Sequence, residues 1–320
     1  MRAAVNIKYG PPEVIKLMEV EKPVPTDNEV LVKVYATTVN RTDCGIRSAN
    51  YLIIRFFYGL IRPKYKILGN EFAGVIETIG KSVTSFKIGD KVFGYNDKKL
   101  GAHADYLTIS EFESIALMPV NLSFQEAAPI TEGAHYALRN IRSAGVKDGQ
   151  DVLVFGASGA IGSAAVQLVK YFGAKVTAVC NTINIDRVKS LGPDLVIDYT
   201  SQDITKIDQT FDFIFDAVGK ISFRQCKQLL KNNGIYISTD LGKNGENIFL
   251  PLLTLLMGGK KVLFPAPKIN KDIVLFLKDL VEKGKYTPLI DRQYPLEQII
   301  DAYKYVETGQ KSGNIVITLT

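Results

Sequence analysis

The sequence predicts an α/β protein made of a β-rich part and a doubly wound parallel sheet. Residues 1–122 contain short strand patterns separated by turn signals such as Gly10-Pro11-Pro12. Regular spacing of this kind is typical of a compact β unit. Residues 151–264 instead alternate short apolar strands with helical patterns, which indicates a parallel sheet covered by helices on both faces.

The β-rich part contains a strand-like N-terminus and further strand candidates. These candidates are Val14–Val20, Glu29–Thr38, Glu71–Ile79, Lys91–Phe93 and Ala104–Ile109. Residues 123–142 become helical, and the C-terminal part adds a helix at Asn270–Lys283 and a final strand at Asn314–Leu319. A helix and strand after a parallel sheet often return to the first domain. We therefore expect a split domain with the parallel sheet inserted into it.

An apolar run ends in glycines at three-residue spacing, Gly156, Gly159 and Gly162, and a helical pattern follows at once. A helix start presents unpaired N–H groups and the positive end of the helix dipole, which suits a phosphate. Gly159 lets a pyrophosphate approach the backbone, and Gly162 lets the helix pack close to its strand. Ala157 stands at the first glycine position of the usual fingerprint, so a tight turn without a ligand is the alternative.

The strands around this turn favour dinucleotide binding. Apolar strand candidates lie at residues 151–155, 175–180, 195–197, 211–215, 234–238 and 261–264. The first two enclose the turn and a helix in a βαβ unit of the required length. The candidate cofactor-binding residues are Gly156, Ser158, Gly159, Ala160, Ile161, Gly162, Asn181, Thr182, Tyr199, Val218 and Phe264.

The residues after the second of these strands bear on the choice of cofactor. An NAD-binding sheet usually carries an acid there, which holds the ribose hydroxyls and repels the 2′-phosphate of NADP. This chain has Asn181 and Thr182 instead, and Ile183 and Asn184 stand where NADP-using proteins commonly carry a basic residue. We expect NADPH, with NADH as the alternative, and expect Asn181, Thr182 and Tyr199 to bind the adenosine end.

Bulk properties exclude several classes of protein. The length of 320 residues suggests two domains. The net charge of +6 is modest and its basic clusters are short, which argues against nucleic-acid binding. No apolar stretch is long enough for a membrane span. The three cysteines lie far apart and no signal-peptide pattern is present, so we expect a reducing, cytoplasmic location.

Several motifs together point to one family. They are Tyr9–Val14, Gly69–Ile76, Val83–Val92, the glycine turn, Asp198-Tyr199, Asp216–Gly219 and Ile290–Glu297. In these motifs the chain resembles, over essentially its whole length, the medium-chain dehydrogenase/reductase superfamily, in its zinc-independent quinone oxidoreductase-like branch. The resemblance implies a GroES-like catalytic domain at residues 1–122 and 267–320 and a Rossmann NAD(P)-binding domain at residues 123–266. It also implies hydride transfer in the cleft between the domains.

The zinc ligands of related alcohol dehydrogenases are replaced in this chain. Those enzymes place a Cys in a C-x-T-D segment and a His in a G-H-E segment. Asn40 stands at the Cys position, Asn70 at the His position, and residues 129–133 offer no further Cys. Neutral amides are poor substitutes for zinc ligands, so we expect no zinc. The alternative is a metal site formed by Glu71, Glu132 and His135.

Without a metal, negative charge that develops on the substrate must be stabilised by hydrogen-bond donors. The resemblance places Asn40 and Thr131 where zinc ligands would converge, and we expect both to act in catalysis. A turn or cap role is the alternative for Asn40. Relatives often carry a Tyr soon after this asparagine, but Gly45 stands there, and Tyr51 is the nearest replacement.

These observations lead to one main functional hypothesis. We expect a zinc-independent, NADPH-dependent reductase of quinones or α,β-unsaturated carbonyl compounds, acting on a small apolar or aromatic substrate. The alternatives are an alcohol or aldehyde dehydrogenase of the same superfamily and a cofactor-binding protein without turnover. The apolar segment Tyr51–Lys66 is expected to form either a pocket wall or lid, or ordinary packing. Relatives pair through the last strand of the cofactor sheet, so a homodimer or homotetramer is expected.

Overall fold

The computed structural model describes residues 1–50 and 52–319, except for the side chain of Ile53. The chain forms two compact units. Unit 1 contains residues 1–132, 269–283 and the chain from 290 onward, and unit 2 contains residues 133–268 and 284–289. Each unit is built around its own β-sheet.

The strands, in chain order, are β1 (Arg2–Asn6), β2 (Ile15–Glu19), β3 (Glu29–Val39), β4 (Glu71–Ile79), β5 (Lys91–Tyr95), β6 (Tyr106–Ser110), β7 (Ile115–Leu117), β8 (Asp151–Phe155), β9 (Lys175–Cys180), β10 (Leu195–Asp198), β11 (Phe211–Asp216), β12 (Leu230–Ser238), β13 (Lys261–Leu263), β14 (Ile290–Pro295) and β15 (Asn314–Thr318). The α-helices are α1 (Arg41–Ser48), α2 (Leu52–Tyr58), α3 (Phe124–Ala127), α4 (Glu132–Ala144), α5 (Ala160–Tyr171), α6 (Ile185–Lys189), α7 (Phe223–Cys226), α8 (Glu246–Met257), α9 (Lys271–Glu282) and α10 (Ile299–Glu307).

Unit 1 is organised around the long strand β3. The sheet order is β14-β15-β3-β4-β5-β7, and β6 pairs with another part of β3. β3 and β4 are antiparallel, with Thr37 opposite Phe72, so the end of β3 lies beside the start of β4. The helix α1 begins immediately after β3. This topology brings residues that are far apart in sequence to one end of the sheet.

Unit 2 contains a six-stranded parallel sheet in the order β10-β9-β8-β11-β12-β13. The order reverses next to β8, and such a switch point is where open α/β sheets bind ligands, beyond the carboxyl ends of the strands. The central strands β8, β9 and β11 are mainly apolar and buried, as expected for a sheet covered on both faces. The predicted α/β fold, with a β-rich unit and a doubly wound parallel sheet, is confirmed.

Some elements differ from the sequence prediction. Residues 123–132 lie in unit 1, ten residues beyond the predicted boundary after residue 122, because α3 packs against β3 and β4. Residues 284–289 lie in unit 2. The helices α1 and α2 and the strands β7 and β14 were not among the predicted elements. These elements are short, so their sequence periodicity is weak.

Candidate active site and cofactor site

A buried carboxylate, Glu71, lies at the centre of the predicted catalytic residues in unit 1. Its Oε2 accepts hydrogen bonds from Thr38 Oγ1 at 2.7 Å and from Asn40 Nδ2 at 3.0 Å. Its Oε1 accepts from the backbone N and Oγ1 of Thr131, at 2.9 and 2.8 Å, and from the backbone N of Glu132 at 2.5 Å. Glu71 is fully buried. Burial raises its pKa, and these hydrogen bonds oppose the rise.

The local fold explains why these groups meet. Glu71 is the first residue of β4, beside the end of β3 that carries Thr38. Asn40 follows β3 and is the N-cap residue of α1. Thr131 is the residue immediately before α4, so its backbone N–H belongs to a helix start, where N–H groups need an acceptor. A single carboxylate therefore satisfies donors from two separate segments, residues 38–40 and 131–132.

The structure thus brings two predicted catalytic residues, Asn40 and Thr131, to one point. Both use their side-chain donors within the chain, because the Asn40 amide donates to Thr38 Oγ1 and Glu71, and the Thr131 hydroxyl donates to Glu71. In this arrangement neither donor faces a substrate. Their predicted catalytic role stays a prediction, and the geometry favours a positioning role for both.

Tyr51, the third predicted catalytic residue, lies outside the described residues. Tyr58 of α2 is an aromatic residue that the sequence reasoning missed. It is half-buried and packs edge-to-face on Tyr65 at 6.1 Å between ring centroids. Burial raises the pKa of Tyr58, and the charges of Asp97, Asp43 and Glu132 raise it further.

Asp43 and Glu132 complete a group of buried acids with Glu71. Asp43 accepts hydrogen bonds from the backbone N of Asn40 at 2.8 Å and of Gly69 at 3.2 Å. Burial raises the pKa of Asp43 well above its usual value, and the charge of Glu132 adds to this effect. Burial raises the pKa of Glu132 to about 7, and the charge of Glu71 contributes. Glu132 therefore holds its proton at a pH where exposed acids are ionised.

Glu132 is linked to a short chain of polar groups. Its Oε1 accepts a hydrogen bond from Thr42 Oγ1 at 2.5 Å, and the Tyr95 hydroxyl also stabilises its charged form. Tyr95 in turn accepts a hydrogen bond from Asn70 Nδ2 at 2.7 Å. Oδ1 of Asn70 and Oε2 of Glu132 are buried without a hydrogen-bond partner among the described residues. Asn70 is thus part of this site through Tyr95 and Glu132.

The residues at this site do not fit a zinc ion. The Asn40 amide nitrogen is a donor, and both oxygens of Glu71 already accept hydrogen bonds. Among the described residues, those that donate hydrogen bonds to Glu71 include no thiolate or imidazole, the usual zinc ligands. Within residues 1–50 and 52–319, no group of three or more His, Cys, Asp or Glu side chains is arranged to hold a metal ion. This holds for the alternative set of Glu71, Glu132 and His135 as well.

The predicted phosphate site in unit 2 is a tight turn between β8 and α5. Gly156 has a positive φ of 78°, and the backbone N–H groups of Gly156 and Ala157 donate to Val179 O at 3.1 and 3.0 Å. Gly159 is the N-cap residue of α5 and provides no side-chain cap. The first N–H groups of the helix, from Ala160 and Ile161 onward, are therefore suited to an anionic ligand.

A buried aspartate that the sequence reasoning did not select fixes the loop beside this turn. Oδ1 of Asp216 accepts from the backbone N of Val218 at 3.2 Å and of Gly219 at 2.9 Å. The predicted cofactor residue Val218 is held against the turn, because a Cβ on Gly156 would lie 2.6 Å from the Val218 side chain. Phe264, another predicted cofactor residue, directly follows β13 and is half-buried.

The predicted adenosine-binding residues form a polar cluster at the carboxyl ends of β9 and β10. Thr182 Oγ1 donates to Asp198 Oδ2 at 2.6 Å, and Thr200 Oγ1 donates to Asp198 Oδ1 at 2.7 Å. These hydroxyls lower the pKa of Asp198. Asn181 Oδ1 accepts from Asn184 Nδ2 at 2.5 Å. The expectation that no acid stands here is therefore incomplete, because Asp198 reaches Thr182 from the neighbouring strand.

A cavity of about 410 Å³ opens beside this cluster. Its lining includes Phe155, Tyr199, Thr200 and Lys220. The rings of Phe155 and Tyr199 are stacked, with centroids 6.0 Å apart, and Tyr199 is 48% exposed. The cavity is thus bordered by exposed aromatic surface on one side and a cation on another.

The close packing at Gly162 gives a testable prediction. A Cβ at Gly162 would lie 2.1 Å from Gly156 O, so Gly162→Ala must displace the turn. We expect this substitution to weaken NADPH binding by at least about tenfold, as measured by fluorescence titration. Gly45→Ala is the matched control, because its Cβ would meet only Ile54 Cδ1 at 3.8 Å. Equal affinity in Gly162→Ala and the unmodified protein would contradict a phosphate site at this turn.

Comparisons with known proteins agree with this architecture. Residues 26–120 match the family described as alcohol dehydrogenase GroES-like domain, and residues 191–317 match the family described as zinc-binding dehydrogenase. The structure of a quinone oxidoreductase from Coxiella burnetii superposes with a TM-score of 0.89 at 27% identity, covering 100% of this chain and 99% of that one. A search of the described residues finds no helix with the length and apolar character of a membrane span.

Two curated relatives cover nearly the whole chain. A 2-methylene-furan-3-one reductase from Solanum lycopersicum is 31% identical over 99% of this chain and 79% of its own length. A quinone oxidoreductase from Homo sapiens is 30% identical over 100% of this chain and 98% of its own length. Fold and relatives together define an oxidoreductase of a nicotinamide-dependent class. The chain belongs to the medium-chain dehydrogenase/reductase superfamily, in its quinone oxidoreductase-like branch.

Proposed function

We propose that this chain reduces quinones or α,β-unsaturated carbonyl compounds by hydride transfer from NADPH. The observation that carries the proposal is the buried cluster around Glu71. In place of zinc ligands it holds amides, hydroxyls and an acid, Glu132, that retains its proton. Reduction of an activated double bond needs a hydride and a proton but no Lewis acid on a carbonyl. The names of the tomato and human relatives fit the same substrate classes.

The residues of unit 2 fit a nicotinamide dinucleotide. The turn from Gly156 to Gly162 would hold the pyrophosphate on backbone N–H groups, and Val218 would pack beside it. Asn181 and Tyr199 would bind the adenosine end, next to the 410 Å³ cavity. When bound, the nicotinamide supplies the hydride.

In unit 1 we propose separate roles for the two halves of the acid cluster. Asn40 and Thr131 position the Glu71 carboxylate through hydrogen bonds of 3.0 and 2.8 Å. Glu132 holds a proton near neutral pH, because burial and the charge of Glu71 raise the pKa of Glu132 to about 7. Thr42 and Tyr95 orient this carboxyl group. The cluster would thereby supply the proton that accompanies hydride transfer.

A substrate panel tests this function. Purified protein is assayed for NADPH and NADH oxidation with benzoquinones, naphthoquinones, alkenals and alkenones, and for alcohol oxidation with NADP and NAD. We expect turnover with quinones or enones and none with alcohols. Alcohol oxidation without turnover of any quinone or enone would contradict the proposal and favour the alcohol dehydrogenase alternative. Tight NADPH binding without any turnover would contradict it too.

Asp198 provides a separate test of the cofactor preference. Its carboxylate accepts a hydrogen bond from Thr182 Oγ1 at 2.6 Å, and its charge weakens the preference for a nearby 2′-phosphate without reversing it. We expect Asp198→Asn to raise the ratio of kcat/KM for NADPH over NADH by about fivefold to tenfold. Asp208→Asn is the control, since Asp208 is exposed and does not line the cavity. A tenfold preference of the unmodified protein for NADH would refute the choice of NADPH.

We also propose that the chain assembles as a homodimer or homotetramer through unit 2. β13 is an edge strand of the sheet and, within the part of the chain that the structure describes, pairs with β12 alone. The preceding helix α8 exposes apolar side chains, including Phe249, Leu252 and Leu256 at 66–78%. An edge strand next to an exposed apolar helix provides a surface that a second copy can cover.

A further inference from the structure

A second exposed apolar surface lies in unit 1, on α2 and the turn that follows it. Five large apolar side chains of this surface, here called the α2 patch, are between 60% and 86% exposed. They are Leu52, Phe56, Phe57, Leu60 and Ile61. One interpretation of the sequence is that this segment serves ordinary packing. That interpretation does not explain these five side chains, because they are exposed. Exposed apolar patches of this kind mark interaction surfaces.

The charged residues of the segment that carries the α2 patch have a single sign. From Cys44 to Asn70 the sequence contains five Arg or Lys residues and no Asp or Glu. Arg62, Lys64 and Lys66 are exposed next to the patch. The other two cations are used inside the unit, since Arg47 pairs with Glu307 and Arg55 lies over the Tyr9 ring. Arg62, Lys64 and Lys66 thus remain exposed beside the apolar side chains, and Lys64 Nζ also lies 5.1 Å from the Tyr65 ring centroid.

The N-terminal segment extends the same surface. The backbone N of Asn6 donates to Lys66 O at 2.6 Å, and the Tyr9 hydroxyl donates to Gly59 O at 2.7 Å. Between these contacts, Ile7 is 46% exposed and Lys8 is exposed. The segment therefore adds one apolar and one basic side chain to the patch and its border.

The acids near α2 face a different side chain. Asp97, Asp43 and Glu132 act on Tyr58, which is half-buried and packs on Tyr65. Asp43 and Glu132 are themselves buried, and Asp97 is the exposed acid of the three. The border of the patch, which Lys8, Arg62, Lys64 and Lys66 form, is therefore predominantly basic.

We propose that the α2 patch docks the protein onto the surface of an anionic lipid bilayer. Phe and Leu side chains enter the boundary between headgroups and acyl chains, while Lys and Arg bind anionic headgroups. A helix of seven residues is about 10 Å long, so it can lie in this boundary but cannot cross the bilayer. The charge pattern favours lipid over a second copy of this chain, because two like patches would bring cations together. The inference does not depend on the proposed reaction.

Vesicle sedimentation tests this proposal with the full-length protein. The probes are vesicles of phosphatidylcholine alone and of phosphatidylcholine with 30% phosphatidylglycerol. We expect binding to the anionic vesicles to be at least about tenfold tighter and to weaken with salt. The triple variant Arg62→Gln, Lys64→Gln, Lys66→Gln should reduce the anionic partition coefficient by about a hundredfold, at roughly fivefold per charge. Phe56→Ser with Phe57→Ser should reduce it by at least about tenfold.

The matched control is Ile88→Ser with Phe112→Ser, which removes two comparably exposed apolar side chains of unit 1 outside the α2 patch. This variant should bind anionic vesicles like the unmodified protein. All replaced side chains are exposed, and circular dichroism checks that each variant is folded. Absence of vesicle binding, or equal loss in the Ile88/Phe112 control, would overturn the proposal. So would a change of oligomeric state in the Phe56/Phe57 variant without a change in vesicle binding, since the patch would then bind a second copy.

Discussion

Replacing Glu71 by alanine is expected to lower the free energy of unfolding by about 3–5 kcal/mol. Five donors converge on this carboxylate from Thr38, Asn40, Thr131 and the backbone of Glu132. Each buried donor left without an acceptor costs about 1–3 kcal/mol, although relaxation recovers part of this cost. Urea denaturation monitored by circular dichroism measures the change. We expect turnover to be lost with it, because the segments carrying Asn40 and Thr131 lose their common anchor.

The variant Glu71→Gln separates charge from shape. An amide of the same size keeps one acceptor oxygen but presents its NH₂ group to groups that are themselves donors. We therefore expect the free energy of unfolding to fall nearly as much as in Glu71→Ala. Glu77→Gln is the matched control on the same strand, because Glu77 is exposed and pairs with Lys22 at 2.5 Å. An exposed ion pair contributes at most about 1 kcal/mol. If Glu71→Gln and Glu77→Gln destabilised the protein equally, the anchoring role of Glu71 would be refuted.

The sequence was sufficient to predict the fold of unit 2 because its signals are local. The strands of the parallel sheet are continuous apolar runs, and the turn from Gly156 to Gly162 lies between one such run and a helix. The close approach behind the glycine spacing is visible in the structure, where a Cβ on Gly162 would meet Gly156 O at 2.1 Å. Local pattern and backbone geometry therefore agree at this turn.

The centre of the unit 1 site could not be predicted from local pattern. Glu71 and Asn40 are 31 residues apart, and Glu71 and Thr131 are 60 residues apart. The family resemblance selected Asn40 and Thr131 by their positions. The atom that their donors face, however, depends on how β3 pairs with β4. The available signal was the acid in the segment Gly69-Asn70-Glu71, because a buried strand that begins with Glu requires partners for its carboxylate.

The acid at the cofactor site was missed for a related reason. The usual rule examines the end of the second strand, here β9, where Asn181 and Thr182 stand. Asp198 lies at the end of β10, opposite Cys180 in the parallel register, and its carboxylate reaches Thr182. The sequence does not state the order of the strands in the sheet. That order places the ends of β9 and β10 side by side, so both contribute to one binding region.

Glu132 gives the second prediction with a large expected effect, a pH-dependent stability. Burial and the charge of Glu71 raise the pKa of Glu132 to about 7 in the folded chain, against about 4.5 for the ordinary side chain. The folded state therefore binds more protons than the unfolded state between these values. The contribution of Glu132 to the free energy of unfolding is therefore complete below about pH 4.5 and is lost as the pH rises through about 7. By linkage, the free energy of unfolding falls by an amount on the order of 3 kcal/mol.

Glu132→Gln should remove this part of the pH dependence, because an amide stays neutral in both states. We expect the variant to be more stable relative to the unmodified protein at pH 7.5 than at pH 5, measured by urea denaturation. The groups facing Glu132 are Glu71, Asp43, Tyr95, Tyr58 and Lys311. Burial lowers the pKa of Lys311 to about 8, so measurements below pH 7.5 keep that titration small.

Exposed Glu282→Gln on α9 is the matched control, and its stability relative to the unmodified protein should not change with pH over this range. The same variants also test the proton-holding role in turnover. In the unmodified protein, kcat/KM for a quinone or enone should fall as the pH rises above about 7, where Glu132 loses its proton. Glu132→Gln should be slower and should lack this limb of the profile. If Glu132→Gln left kcat/KM and its pH profile unchanged, the proton source would lie outside this cluster. The urea denaturation series would still show whether Glu132 titrates near neutral pH.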